Sequence, residues 1–292
     1  MVLSSGGARG LAHVGVIEEL EKRGYEISEI AGCSAGALVG GMYAAGKMND
    51  FRDWICNLDR IDVFSLMDFT FSSRGFIKGE KVFNALKKVV QDSKIEELEF
   101  PFSCNAVNVK TGKEHIFKEG SLYTAIRASG SIPSVFLPAK VHNQFFIDGG
   151  VVNPIPISLL NKKEESLLVV VDVNGLEEDY ISPPKKDSSG KSFLSMPKWL
   201  KEYQRKMKQF FPDEEKESKE VSYSALDLVT RSLDLLQDRY CEMILEKYAV
   251  DILIKVSRKQ SGTLEFHRSA EMIEIGRIKA EKALNAFEDG NS

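Results

Sequence analysis

The sequence predicts an α/β protein, a three-layer α/β/α sandwich around a mainly parallel sheet. Two observations carry that reading. Two strand–turn–helix units follow one another between Met1 and Ala45, and successive βα units build parallel sheets covered on both faces. Further on, the Leu/Val-rich run Leu167–Val173 has the composition of a central strand buried on both sides. The chain has 292 residues, 43% hydrophobic and 28% charged, which suits one large domain over 1–292 with a charged insert at 176–220.

Taken in order, Met1–Ser5 is a short apolar run followed by Gly6-Gly7-Ala8-Arg9-Gly10. Leu11, Val14, Ile17 and Leu20 then repeat at helical spacing, with a C-cap at Gly24. The run Ile27–Ala31 leads into Gly32-Cys33-Ser34-Ala35-Gly36 and the small-residue helix Ala37–Ala45. Phe51, Trp54, Ile55 and Leu58 predict a helix, Phe64–Phe71 is aromatic with little pattern, and Glu80–Val90 carries an apolar stripe. These aromatics read first as core, and second as the lining of an acyl-chain groove or cap by Phe64, Met67, Phe69 and Phe71. Pro101–Val109 and Glu114–Phe117 form strands around the turn Lys110–Lys113, and Leu122–Ala128 is a helix broken by Ser129–Pro133. Val141 and Phe145–Ile147 flank His142-Asn143-Gln144 as a hairpin that ends in Asp148-Gly149-Gly150. The carboxy-terminal part adds a helix Ala225–Lys247, a strand Val250–Val256 and a helix Ala270–Phe287, with no site residue expected among them.

The insert changes character. Pro183–Lys191 reads as an exposed linker and Phe193–Phe211 as a helix with Phe193, Met196, Leu200, Tyr203, Met207 and Phe210 on one face. Residues 185–211 hold eight basic against two acidic side chains, and 213–220 hold five acidic against two basic. Two readings stand: a solvated helix packed on the core, or a basic amphipathic helix that lies on anionic lipid or covers the site.

The net charge of −4 argues against a nucleic-acid partner. Cys33, Cys56, Cys104 and Cys241 form no paired framework, which fits reduced thiols. No apolar stretch approaches the roughly 20 residues that span a bilayer, and Met1-Val2-Leu3 runs into the glycine loop without a leader pattern. The expectation is a cytoplasmic protein, with peripheral membrane contact through 185–211. Oligomeric state is not legible.

Ser34 at the apex of a strand-to-helix turn, with small residues two before and two after, has the pattern of an exposed nucleophile. The glycine loop Gly6–Gly10 aims backbone amides at one point, suited to a phosphate, a dinucleotide or an oxyanion. A dinucleotide fingerprint places glycine where Ser5 stands, and Glu26, which precedes Ile27, falls at the wrong end of the sheet. A phosphate loop closes with Gly-Lys-Ser/Thr, absent here, so the oxyanion reading is favoured. Asp148, between a strand and two glycines, is either a carboxylate presented at a strand end or an ordinary turn aspartate capping amides. Ser34 needs a base. None of His13, His115, His142 and His267 sits at an obvious strand-end turn, whereas Asp148 does. Burial beside Ser34 would raise the Asp148 pKa toward a useful base. Neither a metal nor a cofactor is required, and no cluster with metal-ligand spacing occurs.

Together, Ser4–Gly10, Gly32–Gly36 and Asp148–Gly150, in that order, resemble the patatin-like phospholipase family. Leu11-Ala12-His13-Val14-Gly15-Val16, Ala128–Pro133 and Asn153-Pro154-Ile155-Pro156 also look like that family's segments. The resemblance is close from Met1 to Val173 and loose in the last third. It implies a lipid acyl hydrolase in which Ser34 is the nucleophile, Asp148 its dyad partner, and the amides of Gly6, Gly7, Arg9 and Gly10 the oxyanion hole. Ser5 stands where the family usually has a third glycine. The rival readings are a lipid-binding protein with a vestigial site, a soluble short-chain esterase or thioesterase, and a nucleotide-binding protein.

Overall fold

A computed structural model describes residues 1–72, 75–133, 135–161, 166–176, 179–182 and 225–290. The basic helix expected at 193–211 and the linker before it lie outside the described residues. The chain divides into two compact units, residues 1–183 with 236–292, and residues 184–235. The described part of the second unit is the first half of the helix Ala225–Lys247, whose Leu228, Leu233 and Leu235 are exposed.

In the larger unit β1 (Val2–Leu3) leads through a 3-10 helix, Gly7–Leu11, into α1 (Ala12–Lys22). The second unit of the same kind is β2 (Ile30–Gly32) and α2 (Ala35–Ala44). Next come α3 (Met48–Cys56), α4 (Arg60–Leu66), the hairpin β3 (Phe69–Ser72) and β4 (Gly75–Ile77), and α5 (Glu80–Val89). The antiparallel pair β5 (Phe102–Asn108) and β6 (Glu114–Phe117) precedes α6 (Leu122–Ser129), and β7 (Ala139–Val141) turns back into β8 (Gln144–Asp148). Strand β9 (Val169–Gly175), the helix Ala225–Lys247, β10 (Ile252–Ser257) and the helix Ser269–Gly290 complete the chain.

The main sheet runs β10-β9-β1-β2-β5-β8-β7, with β6 paired to β5. The first five strands are mutually parallel, and β6, β7 and β8 are antiparallel additions at one end. The predicted mostly parallel sheet with helices on both sides is therefore observed. Alternation along the strands sorts the two cores. Leu3, Val169, Val171 and Val173 belong to the larger core with α1, α2, α6 and the carboxy-terminal helix, whereas Val2, Leu168 and Val170 pack with Ile155, Ile157 and Cys241.

The strand read as buried on both faces, β9, is buried along its whole length and lies between β10 and β1, second from the edge of the sheet. The middle is held by β1 and β2, with two and three residues, which are too short to show as apolar runs. They are short because each breaks at once into a glycine-containing turn. The patternless stretch 64–71 resolves into the end of α4 and β3, and α4 starts at a capping box formed by Asp59 and Asp62. Among the described residues, no helix is long and apolar enough to cross a membrane, and no group of three acidic, His or Cys side chains is placed to hold a metal ion.

Candidate active site

The parallel strands β1 and β2 end side by side, and each then turns sharply. After β2 the Cys33 amide donates to the Leu3 carbonyl at 3.0 Å, the last rung before the backbone leaves the sheet. Ser34 follows at φ 55° and ψ −115°, left-handed backbone that a side chain rarely adopts. Helix α2 starts at the next residue, and an added Cβ on Gly36 would stand 2.1 Å from the Leu3 carbonyl oxygen. Only glycine lets the helix meet the strand end so closely. The Ser34 amide is fixed by the Ser129 hydroxyl at 2.8 Å.

After β1 the chain enters the 3-10 helix with Gly7 at φ 57°. Gly10 abuts α2, where a Cβ would come within 2.3 Å of the Ala35 methyl. The loop therefore lies against the start of the helix that carries Ser34. In the 3-10 register the Arg9 and Gly10 amides face carbonyls three residues back, while Gly6 and Gly7 stand at the open head. The Ala8 amide donates to the Thr263 carbonyl at 2.9 Å. The buried Arg9 guanidinium turns away, donating at 3.0 Å each to the carbonyls of Val173 and Ser261 and to Asn174 Oδ1. Ser5, in the unusual position, is not in left-handed backbone, so its side chain imposes no strain; its amide donates to the Pro154 carbonyl at 2.9 Å.

Asp148 closes β8, opposite Ala106 of β5. Its buried carboxylate accepts the Gly150 amide at 2.7 Å and a long contact from Cys33 Sγ at 3.9 Å, and the nearby Ser34 side chain favours its charged form. Burial raises its pKa from 3.8 to about 6, against those stabilising hydrogen bonds. Burial, and then the Asp148 charge, hold the Cys33 thiol well above its ordinary range, so it stays an S–H donor. Asp148 thus caps its own turn and also faces Ser34; the two roles weighed from sequence coexist.

The structure therefore brings together Ser34, Asp148 and the glycine loop. Gly150 lies so near that a Cβ there would stand 3.0 Å from both Asp148 Oδ1 and Ser5 Oγ. The histidines are elsewhere engaged. Fully buried His13 sets Nε2 3.0 Å from the Ser4 carbonyl, and burial drives its pKa to about 4. His267 accepts from Arg60 Nε at 3.0 Å, while His142 sits at φ 44° on the hairpin tip and His115 packs against Phe117 and Phe146.

Ser34 also lines a cavity of about 140 Å³, an order of magnitude more than the roughly 10–15 Å³ that one water needs. Gly7, Leu11 and Ala35 share its near side. Its far side is Phe51, Trp54, Ile55 and Leu58, Val63, Leu66 and Met67, and Val82, Phe83 and Leu86, with Leu264 and Phe266 from the carboxy-terminal region. Sequence reasoning assigned most of these to core, and Met67, one of the second-choice groove residues, is among the lining residues. An apolar stripe looks the same whether it meets another stripe or a void. Thr263, Leu264 and Phe266 carried no motif at all; the polar break after β10 was the only available signal.

A family model described as patatin-like phospholipase matches residues 1–161. An uncharacterized NTE family protein of Mycobacterium tuberculosis is 31% identical over 99% of this chain and 91% of its own length. The lysophospholipase NTE1 of Scheffersomyces stipitis is 30% identical over 61% of this chain, which corresponds to 12% of that much longer protein. Among solved structures, VipD from Legionella pneumophila superposes with a TM-score of 0.53 at 15% identity, covering 97% of this chain and 66% of that one. That likeness concerns the fold.

Proposed function

The chain belongs to the patatin-like phospholipase family, and from that premise we propose that it is a serine lipid acyl hydrolase, of phospholipase A or lysophospholipase type, working through a Ser34–Asp148 dyad. The observation that carries this is a juxtaposition: Ser34, beside a buried carboxylate, lines a cavity whose other walls are almost wholly apolar. A long acyl chain suits such walls better than a short ester does, at about 0.8 kcal/mol per buried methylene. The fungal relatives' name points the same way.

Ionised Asp148 takes the hydroxyl proton as Ser34 Oγ bonds to the acyl carbon. The resulting oxyanion is met by amides of the loop Gly6–Gly10, with Gly6 and Gly7 at its open head, each donor worth about 3–4 kcal/mol. Collapse breaks the ester bond, and Asp148 returns the proton to the departing alkoxide. Water then attacks the acyl-enzyme, giving its proton to Asp148, and release of the fatty acid restores the Ser34 hydroxyl. Desolvation makes this carboxylate a stronger base than an exposed one. The basic residues 185–211 would deliver the enzyme to anionic lipid from the cytoplasm.

The test is hydrolysis of a lysophospholipid and of a long-chain 4-nitrophenyl ester by wild type, Ser34→Ala and Asp148→Asn. Each variant is expected to lose about 10⁴-fold in kcat with its fold intact. Near-normal turnover by either folded variant removes that residue from the dyad.

A further inference from the structure

We propose that Asn174 is a positioning residue for the oxyanion hole, a role that rests on the hydrolase reading above. It sits near the end of β9, 7% exposed, and both ends of its side-chain amide are committed. Oδ1 accepts from Arg9 Nη2 at 3.0 Å, and Nδ2 donates to the Ser5 carbonyl at 2.6 Å. A guanidinium only donates and a carbonyl only accepts, so the amide has one allowed orientation. Its own main-chain N–H is pinned to Asp172 Oδ1 at 3.0 Å.

The consequence lies in the Ser5–Gly6 peptide. That unit is planar and trans, so its C=O and N–H point in opposite directions. The carbonyl is held by Asn174 and also by Ser4 Oγ at 3.0 Å. The opposite side is the Gly6 N–H, at the open head of the loop. The preceding peptide is fixed at both ends, its carbonyl by His13 and its N–H by Pro154. Gly6 cannot shift toward β9, because its α-carbon lies so close that a Cβ would reach 2.2 Å from Val173 Cγ2. Asn174 thus aims one oxyanion donor from behind without touching substrate, and Arg9 ties the far end of the loop to the same amide.

The full-length chain is compared as wild type, Ser34→Ala, Asn174→Asp and Asn174→Ala. Aspartate keeps the acceptor for Arg9 but replaces the donor to Ser5 with a carboxylate oxygen; alanine removes both. Active sites are counted by fluorophosphonate titration, and turnover of the long-chain ester is expressed per labelled Ser34. A long-chain trifluoromethyl ketone reports oxyanion binding, and palmitate reports the acyl cavity alone. For Asn174→Asp the expected result is kcat lower by about 10–100-fold with KM within about twofold, somewhat less than loss of a whole donor. Affinity for the ketone falls in parallel, and affinity for palmitate is unchanged. Unchanged kcat per labelled site, or equal weakening of ketone and palmitate, overturns the proposal. So does failure of both variants to fold, since the role assigned is aim, not support. Wild type that neither hydrolyses the ester nor takes up label overturns the hydrolase reading and this one together; active wild type with indifferent Asn174 variants overturns this one alone.

Discussion

The two sides of the cavity are made from different material. Gly7, Leu11, Ser34 and Ala35 belong to turns locked by main-chain hydrogen bonds and by the glycines Gly7, Gly10 and Gly36, where an added Cβ would come within 2.5, 2.3 and 2.1 Å of a neighbouring atom. Phe51, Ile55, Val63 and Phe83 come from the short helices α3, α4 and α5, and Leu58 from the link between the first two, and they meet side chain to side chain. The difference assigns separate tasks. On the proposed mechanism the first side holds the chemistry and has little freedom to vary, while the second sets what fits and can be recut without disturbing Ser34 and Asp148.

The largest effect expected from breaking the rigid side, beyond lost turnover, is a gain in stability. Asp148 ionises at about 6 in the fold against 3.8 unfolded, so between those values the native state holds the extra proton. Stability therefore falls as pH rises through that window, and above about pH 6 the full cost applies, about 3 kcal/mol. Asp148→Asn should raise the melting temperature at pH 7.5 and lose that advantage near pH 4. An aspartate that merely capped its turn would give the opposite sign, because its replacement would only remove interactions. Calorimetry at the two pH values decides between them.

A smaller effect is expected on the recuttable side. Leu58→Trp, which narrows the cavity, should lower kcat/KM about tenfold for a palmitoyl ester and less than about twofold for a butyryl ester, given the free energy of burying several methylenes. A uniform loss on both chains would mean that the two sides are not independent. Smallest of all, His142→Gln and His115→Gln should each change kcat by less than about twofold, since His142 sits on the hairpin tip and His115 packs against Phe117 and Phe146. A large loss would replace the dyad with a triad.

This contrast also explains what could be read from the sequence. The strained turn at Ser34 and the close turn at Asp148 favour glycine at fixed offsets, so they leave a local signature; an added Cβ would stand 2.1 Å from the Leu3 carbonyl oxygen at Gly36 and a tight 3.0 Å from Asp148 Oδ1 at Gly150. The helices α1, α2 and α5 and the strand β9 were legible from periodicity to within about two residues. The cavity was not legible, because Phe51, Ile55 and Phe83 obey the same spacing whether they face another helix or a space. The order of the sheet was obscured by the brevity of β1 and β2. Asn174 was invisible for a third reason: its partners, Ser5 and Arg9, are more than 160 residues away.

The central claim, that Ser34 is activated by a carboxylate titrating near 6, is tested most directly by fluorophosphonate labelling followed by peptide mapping at a series of pH values. The account predicts one adduct, on Ser34, forming about tenfold more slowly at pH 5 than at pH 7 as Asp148 takes up its proton. Label on another residue, or a Ser34 labelling rate that is flat across that range, would contradict it.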